Sequence, residues 1–179
     1  MEHRLTKGRP VNMQGRLEKE VRTYDFLDDL QIRYEYIDHS PMATIEDCEE
    51  VDRILQIEIC KNLFLCDHKK ENFYLLMMPG RKRFVTREVS GQLHVPRLSF
   101  APEQYMQEYL DITPGSVSVL GLMNDHQKHV QLLIDEAILE DKYVACHPCV
   151  NTSSVKIETS SLLETILPAM EHAPILLKM

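Results

Sequence analysis

The sequence predicts an α/β (α+β) domain built around a mixed sheet, and three observations carry that prediction. Segments with apolar residues at three- and four-residue steps interleave with segments that alternate at a step of two. Neighbouring strand-like runs are parted by short polar turns. The chain has 179 residues, 44% of them hydrophobic, with no low-complexity tract or internal repeat, which suits one core rather than several.

Residues 1–13 read as a loose N-terminal arm, with one domain over 14–179. From Gln14 to Leu30, the spacing of Leu17, Val21, Tyr24 and Leu27 predicts an amphipathic helix. QIRYEYIDH follows as a strand, with Ile32, Tyr34 and Tyr36 on one face. SPMATIEDCEEVDRIL restarts a helix, with Thr44 as a possible cap and Asp47 at capping-box spacing. EICKNLFLCD and ENFYLLMMP are apolar runs separated by DHKKEN and read as a buried hairpin. The chain then turns at Pro79-Gly80 and passes Arg81, Lys82, Arg83 and Arg87. SFAPEQYMQEYLDI is a short helix, and TPGSVSVLGLMND a turn leading into an apolar run. KHVQLLID, KYVACHPCV and VKI are strands, and TSSLLETILPAM is a last helix with Ser161 and Glu164 at capping-box spacing.

Composition narrows the function. A formal charge of −8 argues against general polyanion binding, so nucleic acid would need a local basic patch. No apolar run reaches the ~20 residues of a membrane helix. The opening MEHRLTKGRPVNMQG lacks the apolar stretch of a secretory signal, and five cysteines without framework spacing suit a reducing, cytoplasmic setting.

Two places invite chemistry. In IEICKNLFL, Lys61 shares its strand parity with Ile57, Ile59, Leu63 and Leu65. Either the strand begins after it, at Asn62, or its ammonium points to the apolar side and needs a partner or polar cavity. The second place is Cys146-His147-Pro148-Cys149. Thiol redox chemistry needs a helix after the pair, and a structural zinc site needs a second ligand pair. Turn residues and another strand follow instead, so inert half-buried cysteines are favoured. His147 lies either at a satisfied strand end or, with Asn151 and Thr152, in a polar cluster beside a cleft.

Four segments, in this order and spacing, resemble one family: His39 to Asp47, CKNLFLCD around Lys61, Thr113 to Asp125, and His147 to Ile157. The family is the editing domain of bacterial prolyl-tRNA synthetases with its free-standing relatives, the YbaK/ProX-type aminoacyl-tRNA deacylases. The likeness covers roughly residues 20–170 and is greatest to the free-standing ProX/PrdX-like branch. It implies a mixed, partly barrel-like sheet surrounded by helices. It also implies hydrolysis of mischarged tRNA(Pro), with alanine the favoured acyl group, and no cofactor or metal. Carried over residue by residue, the resemblance implies Lys61, His147 and Gly115 as catalytic, and Thr44, Ser116, Val117, Ser118, Val119, Asn151 and Thr152 as substrate-binding. The family loop often ends in proline where Val119 stands.

For the ester that the resemblance implies, water attack with main-chain N–H donors from 115–119 is expected, and no covalent nucleophile, because no Ser or Cys has an evident base partner. Arg81, Lys82, Arg83 and Arg87, and also Lys69 and Lys70, are either solvated turn charges or contacts for tRNA phosphates. Partners expected are the tRNA(Pro) acceptor end and prolyl-tRNA synthetase. Two alternatives stand beside the deacylase: a non-catalytic module that binds aminoacyl-tRNA or a synthetase, and a thiol oxidoreductase using Cys146 and Cys149.

Overall fold

The computed structural model describes residues 4–42 and 45–179. Strands β1 (Thr6–Lys7), β2 (Tyr34–Asp38), β8 (Ser153–Glu158) and β7 (Tyr143–Cys146) form one antiparallel sheet in that order. The second sheet runs β5 (Ser99–Phe100), β3 (Lys61–Cys66), β4 (Phe73–Met78), β6 (Val130–Asp135) and β9 (Ile175–Leu177). Within it β3 and β4 form the expected hairpin, whereas β4–β6 and β6–β9 are parallel. A parallel bridge between Ile59 and Ala145 joins the sheets, and the Cys60 N–H donates to the Ala145 carbonyl at 2.9 Å. The result is one rolled, partly closed surface.

Side-chain alternation divides this surface into an inside and an outside. Phe73, Leu75 and Met77 of β4 join the large inner core with Phe64, Leu132, Ile134, Val144 and Val155. That core also takes Tyr24 and Leu27 of α1 (Glu18–Asp29) and Met106 and Leu110 of α4 (Glu103–Leu110). The opposite parity, Leu65, Leu76, Met78 and Leu133, packs outward under Val89 of α3 (Thr86–Leu93). Ile37, Ile59 and Ala145 pack outward under Val51 and Leu55 of α2 (Ile45–Leu55). Leu75, Leu76, Met77 and Met78 are all fully buried, which explains why β4 reads as an unbroken apolar run. At about 1.5–3 kcal/mol per buried side chain, this strand is a principal anchor of the fold.

Several local expectations change. Thr6–Lys7, within the segment expected to be a loose arm, pairs with β2, and Arg9 bonds Asp25 at 2.5 Å. The apolar run after Gly115, to which the sequence pattern assigns no element, winds into a 3₁₀ helix, Val119–Asn124. The last helix starts at Thr159, so Ser161 is not its cap, and its middle, Leu162–Ile166, is a π-helix. The caps expected from Thr44 and Asp47, and the substrate role expected of Thr44, lie outside the described residues. Among the described residues, no helix is long and apolar enough to cross a membrane.

Candidate active site

Strand β3 begins at Lys61, not at Asn62, and Lys61 pairs with Met78. Its parity therefore places it on the outer surface, half-buried, at the seam between the areas covered by α2 and α3. Its ammonium donates to the Lys82 carbonyl at 2.8 Å, the only hydrogen bond it makes among the described residues. An ammonium carries three donors, so two remain for a ligand. The turn that delivers the carbonyl needs glycine: a Cβ on Gly80 would lie 2.4 Å from the Ile59 carbonyl oxygen.

The bridge between Ile59 and Ala145 is parallel. Two residues further along each chain, Lys61 and His147 leave it on the same outer surface. Strand β7 stops at Cys146 because Pro148 cannot donate to a ladder and Cys149 takes φ of 62°. The following turn is tied to the exit of β2, since the His39 N–H donates to the Thr152 carbonyl at 3.0 Å. His39 itself shares outward parity with Ile37, as Ser154 does through its pairing with Ile37.

Hydrogen bonding settles the His147 tautomer. Nδ1 lies 2.9 Å from the Ser153 carbonyl oxygen, which can only accept, so Nδ1 carries the proton. Burial disfavours the imidazolium, and although the Ser153 bond opposes this, His39 reinforces it; the pKa falls to about 4. At neutral pH the ring is uncharged, and Nε2 holds an accepting lone pair. The Ser154 hydroxyl lies 2.9 Å from His39 Nε2 and 3.4 Å from His147 Nδ1, so it links both rings. The ring centroids are 6.0 Å apart. Neither His39 nor Ser154 was expected as a site residue. The signal for them lies in strand parity once β2 and β8 are known to be neighbours.

The loop before the 3₁₀ helix is a tight turn. Pro114 and Gly115 occupy its centre, Gly115 has φ of 85°, and the Ser116 N–H donates to the Thr113 carbonyl at 3.1 Å. A Cβ at Gly115 would lie 3.4 Å from Asn151 Nδ2, so this turn abuts the one carrying Asn151. Ser116 bonds the Thr113 carbonyl through its hydroxyl, Ser118 caps Leu120, and Val119 is fully buried in the inner core. These three side chains face inward and the half-buried Val117 packs against the same core, which leaves the main chain of the loop to meet a ligand. Asn151 is half-buried and Thr152 exposed.

Among the described residues, Cys60, Cys66, Cys146 and Cys149 are buried and unpaired. Burial pushes the Cys149 thiol up to about 11 and Cys60 to about 12, and raises Cys146 as well. Such thiols stay protonated, the opposite of what exchange chemistry requires. Among the described residues, no cluster of three or more potential metal ligands occurs.

The four expected tRNA contacts separate. Lys82 is held by the buried carboxylate of Asp135 at 2.7 Å. The Arg81 main-chain N–H bonds Glu58, and its guanidinium lies 3.9 Å from Asp52. Arg83 and Arg87 are exposed. Lys69 and Lys70 sit in the β3–β4 turn, at the end of β3 opposite Lys61.

Comparison with known proteins adds an independent line. The family model of the aminoacyl-tRNA editing domain matches residues 39–165. The prolyl-tRNA editing protein ProX of Acetoanaerobium sticklandii is 35% identical over 136 residues, covering 76% of this chain and 83% of that one. The mouse prolyl-tRNA synthetase associated domain-containing protein 1 is 32% identical over 152 residues, covering 83% and 89% respectively. A crystal structure described as a candidate trans-editing enzyme for prolyl tRNA synthetase superposes with a TM-score of 0.67 at 16% identity, covering 91% of this chain and 98% of that one, and so shares the fold.

Proposed function

The chain belongs to the aminoacyl-tRNA editing domain family, and from that premise we propose that it is a deacylase acting in trans on mischarged tRNA(Pro), with alanyl-tRNA(Pro) the preferred substrate. One observation carries the proposal: a half-buried ammonium and a neutral imidazole with an accepting Nε2 leave the same strand seam on the same surface.

An aminoacyl ester is already activated, so the protein has to position it, admit one water and stabilise the oxyanion. Lys61 supplies positive charge to the acyl carbonyl, aided by main-chain N–H groups of the loop around Gly115. His147, with a pKa near 4, is too weak a base to take a proton efficiently at neutral pH. It acts instead as an acceptor that holds a ribose hydroxyl through Nε2. Water oxygen bonds to the carbonyl carbon, the ester C–O bond breaks, and the ribose oxygen takes a proton, releasing amino acid and intact tRNA. The main chain at Val117, with Asn151 and Thr152, borders the acyl group. Alanine is favoured over proline by steric exclusion, because a ring that clashes is rejected more strongly than a missing methylene weakens binding.

The test is a side-by-side assay on tRNA(Pro) charged with alanine, cysteine and proline. Release of alanine well above the buffer rate, with proline spared, is expected. Tight binding without release of any amino acid would select the non-catalytic module instead.

A further inference from the structure

Arginines elsewhere in this acidic chain are commonly neutralised: Arg9, Arg16, Arg22 and Arg81 each lie within 4.0 Å of a carboxylate. One groove differs. Arg83, Arg87 and Arg97, with His94, line a concavity of about 790 Å³ beside α3, and all four are exposed. Among the described residues, none of the three arginines has a carboxylate at ion-pair distance. Three like charges round one groove repel each other, and a bound polyanion relieves that repulsion. Beside them stands an unusual apolar group. Phe100 on edge strand β5 is 64% exposed, with its ring 5.8 Å from that of Phe84 in the groove wall.

The groove also has a direction. It begins at Arg83, next to Lys82, whose carbonyl receives the Lys61 ammonium. It continues along α3 to Arg97 and the β5 edge, which pairs with the same β3 that Lys61 opens. A phosphate backbone leaving the Lys61 seam therefore meets cations in succession. An exposed ring beside them offers a face on which a base can stack, a combination that fits RNA.

We propose that this groove is the docking surface for the acceptor arm of the tRNA, with Arg83, Arg87 and Arg97 on backbone phosphates and Phe100 stacked on a base or ribose. The identity of the RNA rests on the deacylase reading. The surface itself does not.

The experiment uses the full chain and fluorescently labelled, uncharged tRNA(Pro), titrated at several salt concentrations. Replacing all three arginines (R83A/R87A/R97A) should raise Kd at least ~30-fold and flatten the slope of log K against log salt by about two to three. The charge-preserving R83K/R87K/R97K variant should keep the slope. F100A should weaken binding by about 5- to 100-fold while leaving the slope intact. An unchanged Kd and slope in the triple alanine variant would overturn the proposal, as would its losing affinity for anionic phospholipid vesicles while keeping affinity for tRNA. Deacylation separates the two readings. On alanyl-tRNA(Pro) the triple variant should raise KM and spare kcat, and on a 3′-alanyl adenosine ester too short to reach the groove it should match the parent protein. A parent protein that hydrolyses neither ester, yet loses tRNA affinity on arginine removal, would refute the deacylase and leave the docking surface standing.

Discussion

Replacing His147 with asparagine tests the tautomer and charge on which its role depends. An asparagine amide can still donate to the Ser153 carbonyl but cannot titrate or offer a ring Nε2. In the folded protein the imidazole pKa is about 4, against 6.5 for an ordinary histidine. Burial is the first cause. As pH falls, the unfolded chain takes up the proton first. The stabilising contribution is therefore fully present above 6.5, declines between 6.5 and about 4, and levels off below. At about 1.4 kcal/mol per pKa unit, the full effect is about 3 kcal/mol, of which about 2 kcal/mol is gone by about pH 5. Part of the ring reaches solvent, which screens the interaction and makes these upper figures. Urea unfolding of the parent protein and H147N, compared between about pH 7.5 and pH 5, isolates the contribution because all other groups cancel in the difference. The stability advantage of the parent should shrink by about 1–2 kcal/mol over that range. In kcat/KM for alanyl-tRNA(Pro), H147N should lose about 10- to 100-fold, and the ratio of the two proteins should stay flat from about pH 5.5 to 8. A pH-independent stability difference, or a break in that ratio near 6.5, would mean that the ring titrates like a solvated histidine. The assignment of Nε2 as a permanent acceptor would then be wrong.

Lys61→Met keeps the stem and removes the charge, so kcat/KM should fall by about 100-fold or more with little change in melting temperature; activity within threefold of the parent would exclude the ammonium from the chemistry. Gly115→Ala forces a side chain into a left-handed conformation and toward Asn151, and should cost about 1 kcal/mol in urea unfolding while altering discrimination between alanine and proline. Asp125 lies in the turn before β6 and is buried. Burial alone would raise its pKa, but bonds from His172 and the main-chain N–H groups of His129 and Val130 hold it at about 2. Asp125→Asn should lose about 2–4 kcal/mol at neutral pH. The deficit should shrink as pH falls below 3.8, since this stabilisation needs the ionised carboxylate. Cys146→Ser with Cys149→Ser should retain deacylation, and native-state alkylation of these thiols should be slow at neutral pH.

Much of the architecture was legible in the sequence because its causes are local. The period-two and period-3.6 patterns identify β3, β4, β6, α1 and α4, and the polar DHKKEN turn makes β3 and β4 a hairpin. Short strands β1, β5 and β9 carry no such pattern, for only two or three residues pair in each. Local pattern also singled out Lys61 and His147, since a lysine among alternating apolar residues and a histidine before proline are anomalies visible in one dimension, whereas Gly115 entered only through the family resemblance. Their arrangement was not visible. It depends on the parallel bridge between Ile59 and Ala145, a contact across more than eighty positions of sequence that no local period encodes. The same is true of charge. Sequence shows four basic residues in a row of turns, but only tertiary contacts decide that Lys82 is neutralised by Asp135 while Arg83 and Arg87 join Arg97 in one groove. The chain by itself determined which residues are unusual, because propensity and parity act between near neighbours. The folded structure determined which of them meet, which face they share and which protons they hold, because burial and long-range pairing exist only once the strands have closed.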